Sequence, residues 1–471
     1  MAEAQKRKPK RMDQPPVRVG MISLGCAKNL VDGETMLGHL ERAGVDLTAD
    51  ATRADVVLVN TCGFIDDAKR ESIDSILEVV QAKQSGKVRR LVVTGCMAQA
   101  YAEELRREIP EIDAFVGLDE LERVTEAVRG ELSSHIPDQH GALRVYDHNS
   151  PRVLSTGSYA YLKVAEGCDN PCSFCHIPKM RGAFRSRTIE DLVSEARALE
   201  ECGVKELVLI AQDTTRYGED LGLENGLRSL VENLLASTTV PWIRFLYAYP
   251  ATLDEGLFDL MAAENRFLSY LDIPLQHASR SVLKAMKRGG DARSYRAMIE
   301  RARAVVPELT LRTTFIVGFP GEGEEEFAEL MDFVREVKFD HLGAFSYSWQ
   351  EENPGAGLGD PVTDEEKLQR RQLLMEAQQE IALSHNRALI GRTLPALVAG
   401  PLPEMELLLE ARLQRQAPEI DGRLLINDGT AFPGSLVEVE ITDAHEYDTV
   451  GRLVRVLTPG EATAVRLPVM G

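Results

Sequence analysis

The chain has 471 residues, which is too long for one hydrophobic core and predicts roughly two to four domains. It contains no apolar run of the roughly 18 residues needed to span a membrane, and its first residues lack the apolar core of a signal peptide. We therefore expect a cytoplasmic protein with no membrane partner. The net charge of −20, from 54 basic and 74 acidic residues, disfavours general polyphosphate binding and favours a basic partner.

Residues 1–16 are predicted to be a disordered leader because they combine Lys, Arg and Pro and cannot bury apolar surface. Residues 17–131 show strand, turn and helix patterns three times in succession. The apolar runs at 17–24, 56–59 and 90–93 are each followed by a cysteine-bearing turn and a helix-period segment. We therefore predict an N-terminal parallel α/β domain.

Three cysteines, Cys26, Cys62 and Cys96, follow these three runs at nearly equal intervals. Ligands of open parallel sheets bind beyond the carboxyl ends of the strands, so the three thiols are expected to converge and to hold an iron-sulfur cluster with one open iron. One alternative is that each cysteine is a small buried hydrophobe. A redox or dinucleotide domain is another, although no GxGxxG motif follows the first run.

After a predicted linker at 132–153, a strand pattern at 159–165 leads into Cys168, Cys172 and Cys175 in a CxxxCxxC spacing. A structural zinc site needs four protein ligands, whereas an iron-sulfur cube held by three cysteines keeps one iron open for a ligand. The alternative is a zinc site completed by His176 or by a distant residue. The seventh cysteine, Cys202, is expected to be unligated and mostly buried.

Residues 154–390 contain six strand and helix units and a long trailing helix at 363–389, a pattern typical of a partial (β/α)6 barrel of the TIM type. Polar residues follow the predicted strands, at the end of the barrel where chemistry is expected. They are Gln212, Asp213, Tyr247, Tyr249, Gln276, His277 and the segment 318–320. Residues 391–460 alternate over five short runs separated by turn residues, which predicts a small antiparallel β-barrel of the OB-like class, and 461–471 is a tail.

These three parts, in this order, resemble the radical S-adenosylmethionine (SAM) methylthiotransferases, which join an N-terminal methylthiotransferase domain, a radical SAM barrel and a TRAM domain. The resemblance is carried by SLGCAKNLVD at 23–32, GCDNPCSFCHIPKMRG at 167–182 with RSR at 185–187, AQDTTRYG at 211–218, and RTTFIVGFPG at 312–321. The motifs are most similar to those of the subgroup that methylthiolates an aspartate of the twelfth small-subunit ribosomal protein. The AKNL stretch differs from the usual sequence of the sister enzymes that modify tRNA.

The resemblance implies two 4Fe-4S clusters. The cluster on Cys168, Cys172 and Cys175 would reduce SAM to a 5′-deoxyadenosyl radical, which takes hydrogen from an unactivated carbon. The cluster on the first three cysteines would hold sulfur, from a sulfide or persulfide source, that a second SAM methylates. An electron donor such as flavodoxin or ferredoxin is implied. The expected SAM contacts are Phe174, Gln212, Asp213, Arg312, Val317, Gly318 and Phe319, with Arg185 and Arg187 for the SAM carboxylate.

Charge adds an independent argument about the substrate. Between 391 and 456 the chain has six arginines, no lysine and eleven acidic residues. Nucleic-acid affinity depends on Lys and Arg neutralising phosphates, so this barrel suits a basic ribosomal protein, free or in the ribosome, better than tRNA. A tRNA methylthiotransferase and a non-catalytic, metal-bound nucleic-acid adaptor remain the alternatives.

Overall fold

The computed structural model describes residues 17–136, 145–402 and 405–460. The predicted leader at 1–16, the predicted tail at 461–471 and part of the predicted linker lie outside the described residues. In the described part of the chain, none of the helices combines the length and the apolarity needed to cross a bilayer.

The N-terminal domain is a parallel α/β sheet of six strands in the order β2-β1-β3-β4-β5-β6. Its strands are β1 (Arg18–Ser23), β2 (Asp46–Leu47), β3 (Val56–Thr61), β4 (Arg90–Thr94), β5 (Ala114–Val116) and β6 (Ser134–His135). Its helices are α1 (Ala27–Arg42), α2 (Asp66–Gln84), α3 (Gly95–Glu108) and α4 (Val124–Arg129). The three predicted strands are present; β2, β5 and β6 have only two or three residues, too few for a periodic pattern, and β6 falls in the segment predicted as a linker.

The register of the central strands determines where the cysteine turns lie. All six residues of β3 are buried, as expected for a parallel strand covered on both faces. Ser23 at the end of β1 pairs with Asn60, and Asn60 pairs with Thr94 at the end of β4. The turns that follow β1, β3 and β4 therefore start side by side at one edge of the sheet.

The second domain is the predicted partial barrel. Its six parallel strands form two three-stranded sheets, joined by a bridge between Ile243 and Phe267. The strands of this domain, including a short antiparallel pair β8 and β9, are β7 (Tyr159–Lys163), β8 (Ala165–Glu166), β9 (Arg185–Ser186), β10 (Glu206–Ile210), β11 (Trp242–Phe245), β12 (Tyr270–Asp272), β13 (Thr310–Val317) and β14 (His341–Ser346).

The helices of the barrel alternate with its strands. They are α5 (Ile177–Arg181), α6 (Ile189–Glu201), α7 (Gly226–Ser237), α8 (Gly256–Ala263), α9 (Arg280–Ala285), α10 (Ala292–Val305), α11 (Glu324–Val337) and the trailing α12 (Asp364–Arg387). The prediction that Cys202 is mostly buried is wrong: this cysteine is exposed, because it caps the C-terminus of α6 at a turn that faces solvent.

One hydrophobic cluster joins all three domains. Along β7, Ala160 and Leu162 pack with the outer helices, whereas Tyr161 faces the barrel interior with residues of the neighbouring strands. This inner cluster also contains Ala27 and Val31 of α1 and three residues of the C-terminal domain, Leu397, Ala417 and Leu436. The interior of the open barrel is thus filled by its two neighbouring domains.

The C-terminal domain is a closed five-stranded barrel in the order β15-β16-β17-β19-β18. Its strands are β15 (Thr393–Leu402), β16 (Met405–Leu413), β17 (Leu424–Asp428), β18 (Leu436–Ala444) and β19 (Thr449–Thr458). The prediction of a purely antiparallel barrel is wrong at one pair, because β17 and β19 are parallel. The chain passes through β18 before it returns beside β17, so these two strands run in the same direction.

The small barrel covers the amino ends of the large barrel's strands. Glu206, the first residue of β10, lies 2.6 Å from Arg412 and 2.5 Å from Arg244. Tyr270, the first residue of β12, donates its hydroxyl to Asp421 at 2.6 Å. The carboxyl ends of the strands, where TIM-type barrels carry their chemistry, are therefore left to the N-terminal domain.

Candidate active site

All six cysteines of the two triplets line one cavity of about 560 Å³ between the N-terminal domain and the carboxyl ends of the barrel strands. We call this cavity the chamber. Cys26, Cys62 and Cys96 come from the turns of the parallel sheet. The second triplet comes from the loop between β8 and α5. Both triplets therefore share one space, although they lie far apart in sequence.

Two glycines allow the first three cysteines to approach one another. Gly25 has a φ of +92°, and a Cβ added there would lie 2.8 Å from the Cβ of Cys62. Gly95, directly before Cys96, has a φ of +91°, and a Cβ there would lie 2.3 Å from the carbonyl oxygen of Thr61. Any larger residue would push the three turns apart.

The loop that carries the second triplet is held from several sides. The backbone N–H of Ser173 donates to the carbonyl of Met286 at 3.0 Å, and that of Asn170 lies 3.5 Å from the Cys168 sulfur. The Asn170 side chain donates to Asp213 at 2.7 Å. These bonds fix the loop while its sulfurs face the chamber.

His176 does not complete a four-ligand zinc site. Its Nε2 lies 3.3 Å from the Gly63 carbonyl oxygen and its Nδ1 lies 2.9 Å from Asn353 Oδ1, so both ring nitrogens have partners. Among the described residues, no group of three or more His, Cys, Asp or Glu side chains is arranged to hold a metal ion. A cube distributes its thiolates over separate irons, so each triplet can fit a cluster without surrounding a single ion.

The thiols differ in how readily they ionise. Burial raises the pKa of Cys96 and of Cys175 to about 12, so both are protonated at neutral pH until a metal displaces the proton. Cys26 has an exposed surface and lines the chamber, and desolvation opposes its ionisation. The cations of Lys28 and Arg181 nevertheless hold the pKa of Cys26 below its ordinary value.

Four buried charges join the two domains beside the chamber: Asp32 of α1 with Lys163, Glu166 and Arg181 of the barrel. We call them the interdomain network. Lys163 lies 2.5 Å from Asp32 and 2.7 Å from Glu166, and Arg181 lies 3.0 Å from both carboxylates. Arg181 also donates its Nε–H to the Cys96 sulfur at 3.3 Å. A barrel residue thus contacts the triplet of the N-terminal domain.

A second arginine, Arg288, contacts the other triplet. It lies 3.5 Å from the Cys172 sulfur, donates to the Pro274 carbonyl at 2.9 Å and lies 4.2 Å from the centre of the Tyr249 ring. Its Nε and the Oε1 of Gln212 are buried without a hydrogen-bond partner among the described residues. Both residues line the chamber, so these two atoms fit a polar ligand bound there.

The structure brings only some of the predicted SAM contacts to the chamber. Phe174 and Gln212 line it, and Asp213 supports the lining residue Asn170. The residues that do not line it are Arg185, Arg187, Arg312, Val317, Gly318 and Phe319. Arg181, Arg288, Lys28 and the interdomain network were not predicted from the sequence. The motifs that contain Lys28 and Arg181 can be recognised in the sequence, but the sequence does not show which groups these two cations contact.

The arginines outside the chamber have other partners. Arg187 is buried against Asp191 at 2.6 Å and Glu195 at 2.5 Å. Arg312 is the third residue of β13 and pairs at 2.9 Å with Asp272, whose carboxylate also accepts from the backbone N–H of the chamber residue Tyr247, so Arg312 lies behind the chamber wall. Arg185 donates to the carbonyls of Ala183 and Arg181. Each guanidinium group therefore has partners within the protein, while Arg185 Nε and one terminal nitrogen of Arg187 are buried without a hydrogen-bond partner among the described residues.

The segment 317–319 lies behind the chamber wall. Val317 and Phe319 are fully buried, and the Phe319 ring packs edge-on against Tyr347 with 4.9 Å between ring centres. A Cβ added at Gly318 would lie 2.3 Å from the side chain of Lys367. This segment supports the end of β13.

Three family descriptions match successive parts of the chain. They are "Uncharacterized protein family UPF0004" at residues 18–117, "Radical SAM superfamily" at 162–334 and "TRAM domain" at 390–454. The radical SAM match implies a 4Fe-4S cluster and SAM as cofactors.

Curated relatives match almost the whole chain. "Ribosomal protein uS12 methylthiotransferase RimO" of Anaeromyxobacter sp. (strain K) is 49% identical and covers 93% of both chains. The protein of the same name from Koribacter versatilis (strain Ellin345) is 44% identical over 94% of this chain and 98% of its own. Among solved structures, the chain is similar to the radical SAM methyltransferase TsrM from Kitasatospora setae, solved with cobalamin and a [4Fe-4S] cluster bound. The TM-score is 0.52 and the identity 15%, over 73% of this chain and 77% of TsrM, which shows a shared fold alone.

Proposed function

The chain belongs to the family of ribosomal protein uS12 methylthiotransferases, and from this premise we propose that it adds a methylthio group to the β-carbon of an aspartate of uS12. The observation that carries the proposal is the chamber, because a transfer from one cofactor site to a carbon activated at another requires both sites to face the same space. We propose that SAM serves both as the radical source and as the methyl donor.

The two triplets would hold two 4Fe-4S clusters. When bound, the clusters and SAM supply the one-electron chemistry and the sulfur that no side chain can provide. Arg181 and Arg288 each donate to a cysteine sulfur of a different triplet, and hydrogen bonds to sulfur tune an iron-sulfur cluster. Gln212 and Arg288 offer unpaired polar atoms for SAM, and Phe174 offers an aromatic face.

The wall of the chamber is largely apolar, which favours the exclusion of water from a bound substrate. Apolar side chains supply much of its wall, and they are Phe64, Ile65, Ala68, Phe174, Ile177 and Phe345. Excluding water protects a reactive intermediate from side reactions.

The charges of the C-terminal barrel support a protein substrate. Each of its six arginines is already paired with a carboxylate. Three pair with the large barrel, namely Arg392 with Glu308, Arg412 with Glu206 and Arg415 with Asp340. Three pair within the small barrel, namely Arg423 with Glu410 and Asp448, Arg452 with Glu440 and Arg455 with Glu438. Six arginines against eleven acidic residues give this barrel a net negative charge, which repels phosphates, so a basic ribosomal protein, free or in the ribosome, fits this surface better than tRNA.

The remaining parts of the proposal follow from this chemistry. A low-potential electron donor such as flavodoxin or ferredoxin would reduce the barrel cluster, and sulfide or a persulfide would replace the transferred sulfur. A ribosomal-protein substrate and oxygen-sensitive clusters support the cytoplasm as the site of action.

The test is to purify the protein without oxygen, measure iron and sulfide, and incubate it with uS12, SAM and a reductant. We expect about eight irons per chain and a uS12 product that carries one methylthio group by mass spectrometry. Cys26→Ala should lose about half of the iron and all of the product. Cys202→Ala is the matched control, because this exposed thiol should leave both unchanged.

Full iron content in Cys26→Ala would contradict a cluster on the first triplet. Absence of any methylthiolated uS12 with the fully loaded wild type would contradict the proposed reaction. A tRNA substrate would instead give tight tRNA binding that weakens steeply with salt.

A further inference from the structure

The wall of the chamber carries three cations, Lys28, Arg181 and Arg288, and no carboxylate among the described residues. The chain as a whole has a net charge of −20, so this concentration of positive charge is local. Each arginine donates to a cysteine sulfur and also has an oxygen partner. The two arginines therefore serve one triplet each through direct hydrogen bonds, whereas the Lys28 side chain acts on Cys26 through its charge alone and makes no hydrogen bond to a cysteine sulfur in the described part of the chain.

Lys28 is buried, with 8% of its surface exposed, and its ammonium lies 3.4 Å from the centre of the Tyr247 ring. It forms no ion pair with any carboxylate in the described part of the chain. The Cys26 thiolate is the nearest anion, but a bound cluster would share that charge among its irons, so the buried ammonium would be only partly balanced, which is unfavourable. The cation–π contact with Tyr247 offsets only part of this cost, so the environment of Lys28 favours a bound anion.

The backbone of Tyr247 adopts an unfavourable conformation. It has a φ of +66°, in the left-handed region that side chains other than glycine rarely adopt. Its backbone N–H donates to the buried carboxylate of Asp272 at 2.8 Å. The ring that faces Lys28 is thus fixed by the barrel, and it fixes the ammonium at the boundary between the two domains.

Resting on the proposed function, we propose that Lys28 binds the side-chain carboxylate of the substrate aspartate and determines the specificity for that residue. In an aspartate the carboxylate is one bond from the β-carbon. Lys28 follows Cys26 by two residues in the first turn of α1, so a carboxylate held there places the β-carbon beside the first triplet and within the chamber that the second triplet shares.

The same residue would discriminate against a nucleoside. A base offers no carboxylate to Lys28, and binding it would leave the ammonium buried without an anion. Sites built around a charged or polar partner reject ligands that lack it by large factors. The other carboxylate that can enter the chamber is that of SAM, and the experiment separates the two sources.

The test compares the binding of two proteins, uS12 and a uS12 variant in which the modified aspartate, located by mass spectrometry, is replaced by Asn. Dissociation constants are measured without oxygen on the fully loaded enzyme. Lys28→Met should weaken the binding of uS12 about 30-fold, or about 2 kcal/mol, and change the binding of the Asn variant less than about 3-fold. Lys69→Met is the matched control, because Lys69 also lies over a tyrosine ring, Tyr101, but outside the chamber lining.

Equal weakening of both uS12 forms would overturn the proposal, since Lys28 would then only shape the chamber. Weaker binding of SAM in the absence of uS12 would also overturn it and assign Lys28 to the SAM carboxylate. If Lys28→Met does not retain its iron, Lys28→Arg is used for the same comparison, because it keeps the positive charge but changes its position. In that variant, an unchanged preference for uS12 with Asp over uS12 with Asn would overturn the proposal. Failure of the wild type to methylthiolate uS12 would contradict the proposed function instead.

Discussion

The interdomain network predicts a large loss of stability for Asp32→Asn. Asp32 and Glu166 balance Lys163 and Arg181, so the four buried charges are neutral together. Asp32 has 1% of its side chain exposed and contacts both cations, at 2.5 and 3.0 Å. Replacing it with Asn keeps the shape but leaves one uncompensated positive charge buried, which costs about 3–5 kcal/mol.

Hydrogen exchange of the α1 amides is the appropriate measurement, because Asp32 lies in α1 and a chain of several domains need not unfold in one step. If the whole cost appears in the opening of α1, a loss of about 4 kcal/mol makes its amides exchange about 1000-fold faster. Asp67→Asn is the control. Asp67 is 85% exposed with one contact to Arg70 at 3.6 Å, so its replacement should change stability by less than about 0.5 kcal/mol.

A double substitution distinguishes charge imbalance from lost packing. Asp32→Asn combined with Lys163→Met removes one charge of each sign and leaves Arg181 paired with Glu166. We expect it to recover most of the loss, because a neutral buried group does not carry the desolvation cost of an unpaired ion. Unchanged α1 exchange in Asp32→Asn, or a double variant as unstable as the sum of the single variants, would refute this reasoning.

Three further predictions follow from other buried contacts. Glu206→Gln leaves Arg412 buried without its carboxylate, so the C-terminal barrel should detach more readily, seen as faster limited proteolysis between the trailing helix and that barrel. Gly25→Ala places a Cβ 2.8 Å from that of Cys62, so iron content should fall toward half while Gly44→Ala, with nothing within 4 Å, keeps its iron. Burial raises the pKa of Asp119 to about 6, so the stability linked to its protonated form is present below about pH 4 and is lost as the pH rises through 6. Asp119→Asn should therefore raise the melting temperature more at pH 8 than at pH 4, and the opposite order would contradict the assignment.

The grouping of the cysteines could be predicted from sequence because it depends on local order. A strand followed by a turn and a helix, repeated in a parallel sheet, places every such turn at the same edge. Cys26, Cys62 and Cys96 each follow a strand directly, and the register of β1, β3 and β4 then brings them together. The CxxxCxxC loop is a single short segment, so its three sulfurs are necessarily near one another.

The partners of the charged side chains could not be predicted in the same way. Arg312 belongs to a motif at the end of the fifth barrel strand, but β13 has eight residues and Arg312 is the third, and it pairs with Asp272 behind the chamber wall. Arg187 lies just after the cysteine motif at 167–182, which suggested a contact with SAM. Its partners are instead Asp191 and Glu195, one and two turns along the next helix. Sequence shows which residues are charged, whereas their pairing depends on the packing of the domains.

The position of the C-terminal barrel limits how it can take part in the reaction. It contacts the first residues of β10 and β12, at the ends of these strands that lie away from the chamber. We therefore expect its acidic surface to act from the amino ends of the strands, where it can attract the body of a basic protein whose loop enters the chamber at the other end. The affinity for uS12 would then depend mainly on the charges of the small barrel, whereas Lys28 would determine which residue of uS12 is modified. A substrate loop that carries Asn should accordingly still be attracted by the small barrel and be rejected only at the chamber.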